Sequence, residues 1–315
     1  MLSLIAALAL IVAAVILLRP APRFAPQPVM LEQDLDAMLA AQEQGIAPEL
    51  AARIIWAGRP DVPTPVAIVY LHGFSASPEE IRPVPDQVAQ ALGANLYFAR
   101  LGGHGQGAAA MGEASVAGWA QDVAQAVAMG RALGERVVVI GTSTGATLAA
   151  LAARDPQIGG EIDAVVMLSP NFALQNRAAP LLTLPLARHW LPLIAGRERC
   201  FETRSDDHAR FWTPCYPTRA LIPMAELVRL SAQGDYAEAT QPLLILADPR
   251  DRVVDPQAAQ PVAATWGGPV TLTEITTPEG DDPDHHVIAG RIMSPQNTPA
   301  ITAEITNWLR EVLRP

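Results

Sequence analysis

Five residues, Gly141-Thr142-Ser143-Thr144-Gly145, place a serine between glycines at a point where the chain changes character. Before them, Arg136-Val137-Val138-Val139-Ile140 is β-branched and of strand length; after them, Ala146 to Arg154 is a run of small residues suited to a helix. In a strand–turn–helix context the serine sits on a sharp, strained turn with its hydroxyl clear of the sheet, and the glycines let neighbouring backbone approach. The helix that begins there aims free N–H groups and its positive dipole end at the same place. Those are the parts of an activated nucleophile.

A serine hydroxyl needs a base, and the base needs an acid to orient it. Six histidines are available: His72, His104, His189, His208, His285 and His286. In an open parallel sheet, reacting groups gather beyond the carboxyl ends of the strands. His285 and His286 come after a strand expected over 270–275, and His286 is preferred because Val287 and Ile288 can pack its loop down. His285, beside Asp284, is expected to be solvated. The acid is expected at Asp251, a few residues past a strand ending at Ala247, with Asp248 as the alternative; Asp255 is expected to cap the next helix. An oxyanion needs two N–H donors. Thr144 supplies one, and Phe74, in the His72-Gly73-Phe74 loop after another strand, supplies the second. His72 and His104 are expected to shape loops rather than to react.

The elements that position these groups alternate. Strands are expected at 53–57, 65–71, 95–99, 136–140, 163–168, 242–247 and 270–275, and helices at 30–44, 78–92, 115–133, 146–154, 257–265 and 299–313. Strand–helix alternation implies a mainly parallel sheet covered on both faces. It lapses over about 171–240, where prolines, aromatics and helical fragments read as an insertion.

Composition sets limits. A formal net charge of -10, a pI of about 5.1 and the absence of any lysine leave no basic tract for nucleic acid. Two cysteines, Cys200 and Cys215, lack the spacing of a metal site. Two free thiols are expected, with a bridge if the domain is exported. Leu2 to Leu18 is apolar except for Ser3, and no arginine precedes it. Residues 1–19 are therefore expected to form an uncleaved single-pass membrane anchor, with a Pro-rich spacer over 20–29 that lifts the domain off the bilayer. Arg19 and Arg23 favour a cytoplasmic domain and a Cys200–Cys215 bridge the opposite, so the side stays open.

Taken together, His72-Gly73-Phe74-Ser75, Arg100-Leu101-Gly102-Gly103-His104-Gly105, Trp119 with Asp122, Gly141 to Gly145, Asp251 with Val254, and His286-Val287-Ile288 resemble the α/β-hydrolase superfamily. Within it they resemble the carboxylesterase and monoacylglycerol-lipase-like group, which is also grouped with serine aminopeptidases. The pieces fall in the family's order across about 66–313, with Ala146 in place of a frequent second glycine. The resemblance implies the α/β-hydrolase fold with a lid over about 171–240. It also implies Ser143 as nucleophile, Asp251 as acid, His286 as base, and Phe74 and Thr144 as oxyanion donors. The activity expected is hydrolysis of carboxylic esters through an acyl-enzyme, with no metal or organic cofactor; the apolar, aromatic insertion and the expected anchor beside a bilayer favour acyl-chain or lipid-like esters. A peptidase or amidase on the same fold, or a catalytically idle membrane-anchored scaffold, are the alternatives.

Overall fold

A computed structural model of the chain describes residues 22–314. After an extended lead-in, helix α1 (Leu35–Gln42) precedes β1 (Arg53–Ile55), β2 (Thr64–Leu71), α2 (Val84–Leu92), β3 (Asn95–Phe98), α3 (Gly107–Met111), α4 (Val116–Leu133), β4 (Gly134–Thr142), α5 (Thr144–Ala153) and β5 (Ala164–Leu168). The insertion then carries α6 (Ala187–Ile194), β6 (Glu198–Cys200), α7 (Asp206–Phe211), β7 (Cys215–Pro217) and α8 (Leu221–Ser231). The sheet resumes with β8 (Leu243–Ala247), α9 (Ala259–Thr265) and β9 (Val270–Glu274), and α10 (Thr298–Val312) closes the chain.

The seven strands lie in the order β1-β3-β2-β4-β5-β8-β9; all neighbours are parallel except β1 with β3. Side chains alternate between two cores, as a strand buried on both faces requires. Ala67, Val69 and Leu71 of β2, with Val137 and Val139 of β4, face α4, α5 and α9. Val66, Ile68 and Tyr70, with Val138 and Ile140, face α2 and α10. The central strands therefore read as unbroken apolar runs.

The lead-in runs along the domain: Phe24, Val29 and Leu31 pack against the first core, and Gln27 N–H donates to Gln121 of α4 at 3.1 Å. Two expectations need correction. The helix expected from Pro78 begins only at Val84, because Glu80 N–H and Arg82 N–H close turns onto Ser77 and Glu79 instead. Cys200 and Cys215 are not free thiols but a disulfide. Antiparallel β6 and β7 set the two residues directly opposite one another, a register that spacing in sequence does not reveal. The insertion is thus a ribbon as well as helical fragments. No helix among the described residues is long and apolar enough to cross a membrane. The anchor expected over 1–19 lies outside the described residues.

Candidate active site

The turn at Ser143 is strained as the sequence demanded. Ser143 has φ 52° and ψ -116°, a conformation in which a Cβ is unfavourable, and its N–H donates to Leu168 O at 2.9 Å. The flanking glycines are steric necessities. A Cβ on Gly145 would lie 2.1 Å from the Leu71 carbonyl oxygen, and one on Gly141 would lie 2.6 Å from the Gly145 carbonyl. All ten residues of α5 are buried, so small side chains let this helix lie against the sheet. Gly145→Ala is expected to destabilise the protein by about 3 kcal/mol or more, read by denaturant unfolding, since backbone on both sides would have to move.

Three loops converge on this serine. His286 Nε2 lies 3.0 Å from Ser143 Oγ, and His286 Nδ1 lies 2.7 Å from Asp251 Oδ2. Asp251 is locked by its other oxygen, which accepts from Val253 N–H at 2.7 Å and Val254 N–H at 2.9 Å. With one nitrogen at the carboxylate, the imidazole presents the other to the hydroxyl. Burial lowers the His286 pKa, but Asp251, Asp282 and Glu80 outweigh it and hold the value above that of an ordinary histidine.

The alternatives fall elsewhere. Asp248 is buried and receives two bonds from the Arg250 guanidinium, at 2.7 and 3.0 Å, and one from Thr277 N–H at 2.7 Å. Burial raises its pKa, but these donors prevail and hold the carboxyl well below the usual range. His285 is not solvated as expected: its side chain is 17% exposed, with Nδ1 at 3.8 Å from Asp248. It therefore belongs with the Asp248 cluster, away from the serine. Asp255 caps the turn before α9 by accepting from Gln257 N–H at 3.0 Å.

Behind the serine, a Cβ on Gly73 would come 3.3 Å from Ser143 Cβ, which shows how closely the loop after β2 approaches. Gly73 N–H donates to Glu80 at 2.8 Å and Ser75 N–H to His104 Nε2 at 3.1 Å. The N–H between them, that of Phe74, has no partner among the described residues. Thr144 N–H opens α5, where no intrahelical acceptor exists. His72 and His104 are loop braces. His72 Nε2 accepts from Leu101 N–H at 3.1 Å, and burial lowers His104 to about 4, keeping it a neutral acceptor. Trp119 and Asp122 hold Gly102 from α4, at 2.9 Å through its carbonyl and 2.7 Å through its N–H.

Sequence reasoning missed three residues of this region. Asp282 fixes the histidine loop by accepting from His286 N–H at 3.0 Å and Val287 N–H at 2.9 Å. Tyr216, on the disulfide-closed ribbon, packs edge-on against Phe74 with ring centroids 5.2 Å apart. Glu80, fully buried, faces the serine's surroundings from below the Phe74 loop. Nothing in the sequence separates the acids at 79–80 and 281–282 from surface charge, save the position of Asp282 ahead of a histidine pair. A separate cavity of about 530 Å³ between α4 and the insertion is lined by Ser115, Arg188 and Arg219, and by none of the residues around Ser143.

Comparison with known proteins agrees with this architecture. A lipolytic enzyme described among "LipS and LipT", of metagenomic origin, superposes with a TM-score of 0.66 at 18% identity, covering 84% of this chain and 99% of that one. A soluble variant of the monoglyceride lipase of Saccharomyces cerevisiae gives 0.62 at 13% identity, over 84% and 92% of the two chains. The monoacylglycerol lipase of Paleococcus ferrophilus gives 0.59 at 15% identity, over 84% and 99%. At these identities the likeness is one of fold. Comparison with curated proteins returned no match. The model of the alpha/beta hydrolase family, however, matches residues 68–290, more than half of the sequence, and with its strand order and elbow the chain belongs to that family.

Proposed function

We propose that this protein is a serine hydrolase of carboxylic esters. The observation that carries the reading is the relay from Asp251 through His286 to Ser143, at 2.7 and 3.0 Å, on a strained elbow beside a Phe74 N–H that has no partner among the described residues. In this reading Ser143 Oγ attacks the acyl carbon as His286 Nε2 takes its proton. Phe74 and Thr144 N–H groups receive the negative charge on the carbonyl oxygen. Asp251 keeps the imidazole oriented and balances its positive charge. His286 returns the proton to the leaving alcohol, and the acyl-enzyme is released when His286 deprotonates a water.

The substrate class proposed is acyl-chain esters. Leu181, Leu184, Leu193 and Ile194 of the insertion are exposed, and the structural neighbours bear lipolytic names. The apolar run Leu2–Leu18 supports a membrane anchor, and the bridged Cys200–Cys215 pair supports a domain on the oxidising side of that membrane. The test is turnover by the full chain, in mild detergent, of esters and amides with matched acyl groups of increasing length. Ester turnover exceeding amide turnover, and rising with acyl length, is expected. Preference for the amide would make the protein a peptidase or amidase, and no turnover of either would leave a scaffold.

A further inference from the structure

One buried acid near the reacting groups has no part in the relay. Glu80 lies in the turn between β2 and α2, 3% exposed, and one of its oxygens, Oε2, gathers two donors. Gly73 N–H reaches it at 2.8 Å and the Tyr70 hydroxyl at 2.8 Å. Tyr70 in turn lies 3.2 Å from the hydroxyl of Thr142, the residue before the nucleophile. On its other side Glu80 meets the loop that bears the base. A Cβ on Gly290 would lie 2.6 Å from the Glu80 carbonyl oxygen, and Arg291 N–H donates to Arg82 O at 2.8 Å. Glu80 is thus wedged between the Phe74 loop, the elbow strand and the histidine loop, in contact with the backbone of the first and last.

From this placement we infer that Glu80 is a positioning residue for the ester hydrolysis proposed above: it holds the Gly73–Phe74 peptide in register for the oxyanion, and its negative charge makes His286 a stronger base. The first half rests on the hydrogen bond, since fixing Gly73 N–H fixes the direction of the next one along the chain. The second half rests on proximity: a Cβ on Gly73 would lie 2.7 Å from Glu80 Oε1 and 3.3 Å from Ser143 Cβ, and Ser143 Oγ is itself 3.0 Å from His286 Nε2, so the carboxylate lies just behind the serine–histidine pair. Around His286 stand Asp251 from the loop after β8, Asp282 from its own loop and Glu80 from the loop after β2. Asp282 has the Arg204 side chain 4.0 Å away as a counter-charge. Around Glu80 stand Tyr70 and His286. Burial raises Glu80 to about 7 against the pull of Gly73, Tyr70 and His286. Its charge is therefore in play in the pH range where a histidine base must lose its proton, so that the two groups titrate as a coupled pair. The same charge opposes a developing oxyanion, so a fully ionised Glu80 would help one step and hinder the other. A partly protonated one moderates both.

The test separates bracing from charge. Glu80→Gln keeps an oxygen to accept from Gly73 and Tyr70 and removes the charge. Full-length wild type and variant are compared by the pH profile of kcat/KM on an ester and, since the inference rests on the hydrolase reading, by an NMR titration of the His286 ring in a Ser143→Ala background, which needs no turnover. In wild type the acid limb is expected above the ordinary histidine value. In Glu80→Gln the acid limb and the NMR midpoint both move to lower pH, by about half a unit or more, with plateau kcat within about tenfold of wild type. Midpoints that superimpose on wild type overturn the inference that the Glu80 charge strengthens His286 as a base, whatever happens to the rate. Should Glu80→Gln fail to fold, Tyr70→Phe serves. It strips one donor from the carboxylate and so keeps it protonated to higher pH, and the His286 midpoint must again fall; an unmoved midpoint is the negative result. Absence of ester turnover in wild type would count against the hydrolase reading alone, because the NMR arm still reports on the Glu80–His286 pair.

Discussion

Ser143→Ala is expected to lower kcat/KM on an ester substrate by about 10⁴- to 10⁶-fold and to abolish labelling by a fluorophosphonate probe, with little change in stability. The size of the loss comes from the relay, in which removing the hydroxyl leaves His286 and Asp251 with nothing to activate. Alanine retains a Cβ, so the strain at φ 52° remains. Ser143→Gly should differ in one respect only. It is equally inactive, but relief of a conformation that costs about 1 to 3 kcal/mol should raise the melting temperature by several degrees. Labelling that persists in Ser143→Ala would move the nucleophile elsewhere, and a Gly variant no more stable than the Ala variant would mean that the elbow stores no strain.

The second large effect distinguishes two aspartates three residues apart. Asp251→Asn should cut kcat by about 10⁴-fold, because an amide that donates to Nδ1 selects the wrong tautomer of His286. Its fold should survive, since the Oδ1 that caps Val253 and Val254 can be kept by the amide oxygen. Asp248→Asn should leave kcat within about tenfold. It should lower stability by about 1 to 3 kcal/mol, because Arg250 and Thr277 lose the charged acceptor they share. Steady-state kinetics beside chemical unfolding reads both. The reverse pattern, Asp248 costing rate and Asp251 costing stability, would exchange their assignments.

The parts of the site that were legible in the sequence are those carried by local signals. Val137 to Ile140 ahead of Gly141 marks both a strand buried on two faces and the turn after it. Asp251 and His286 are legible because each lies in the loop beyond a strand, the apolar and buried β8 and the alternating, more exposed β9 respectively. The Phe74 loop stands in the same relation to β2. The illegible parts depend on the tertiary surroundings. Glu79 and Glu80 look alike in sequence, yet Glu79 meets the arginines Arg53, Arg82 and Arg291 while Glu80 turns inward to Tyr70 and Gly73. Tyr70 sits in an apolar strand and gives no hint that its hydroxyl needs a partner. Proline-rich turns hid the late start of α2. The ribbon that pairs Cys200 with Cys215 is three residues to a strand, too short for any periodicity to announce it.

The relay also has a bearing on how the chain folds. Ser143 and His286 are 143 residues apart, with the whole insertion and three further strands of the sheet, β5, β8 and β9, between them, whereas β2, β3 and β4 pair across much shorter spans. Closing so long a loop is entropically slow to be rewarded, and contacts of this separation form late. A refolding chain therefore regains secondary structure and much of its core before its hydroxyl meets its imidazole. Recovery of nucleophile reactivity, tracked in time with a serine-directed probe, is thus a clock for the last docking step, that of β9 and the segment behind it, and not for collapse.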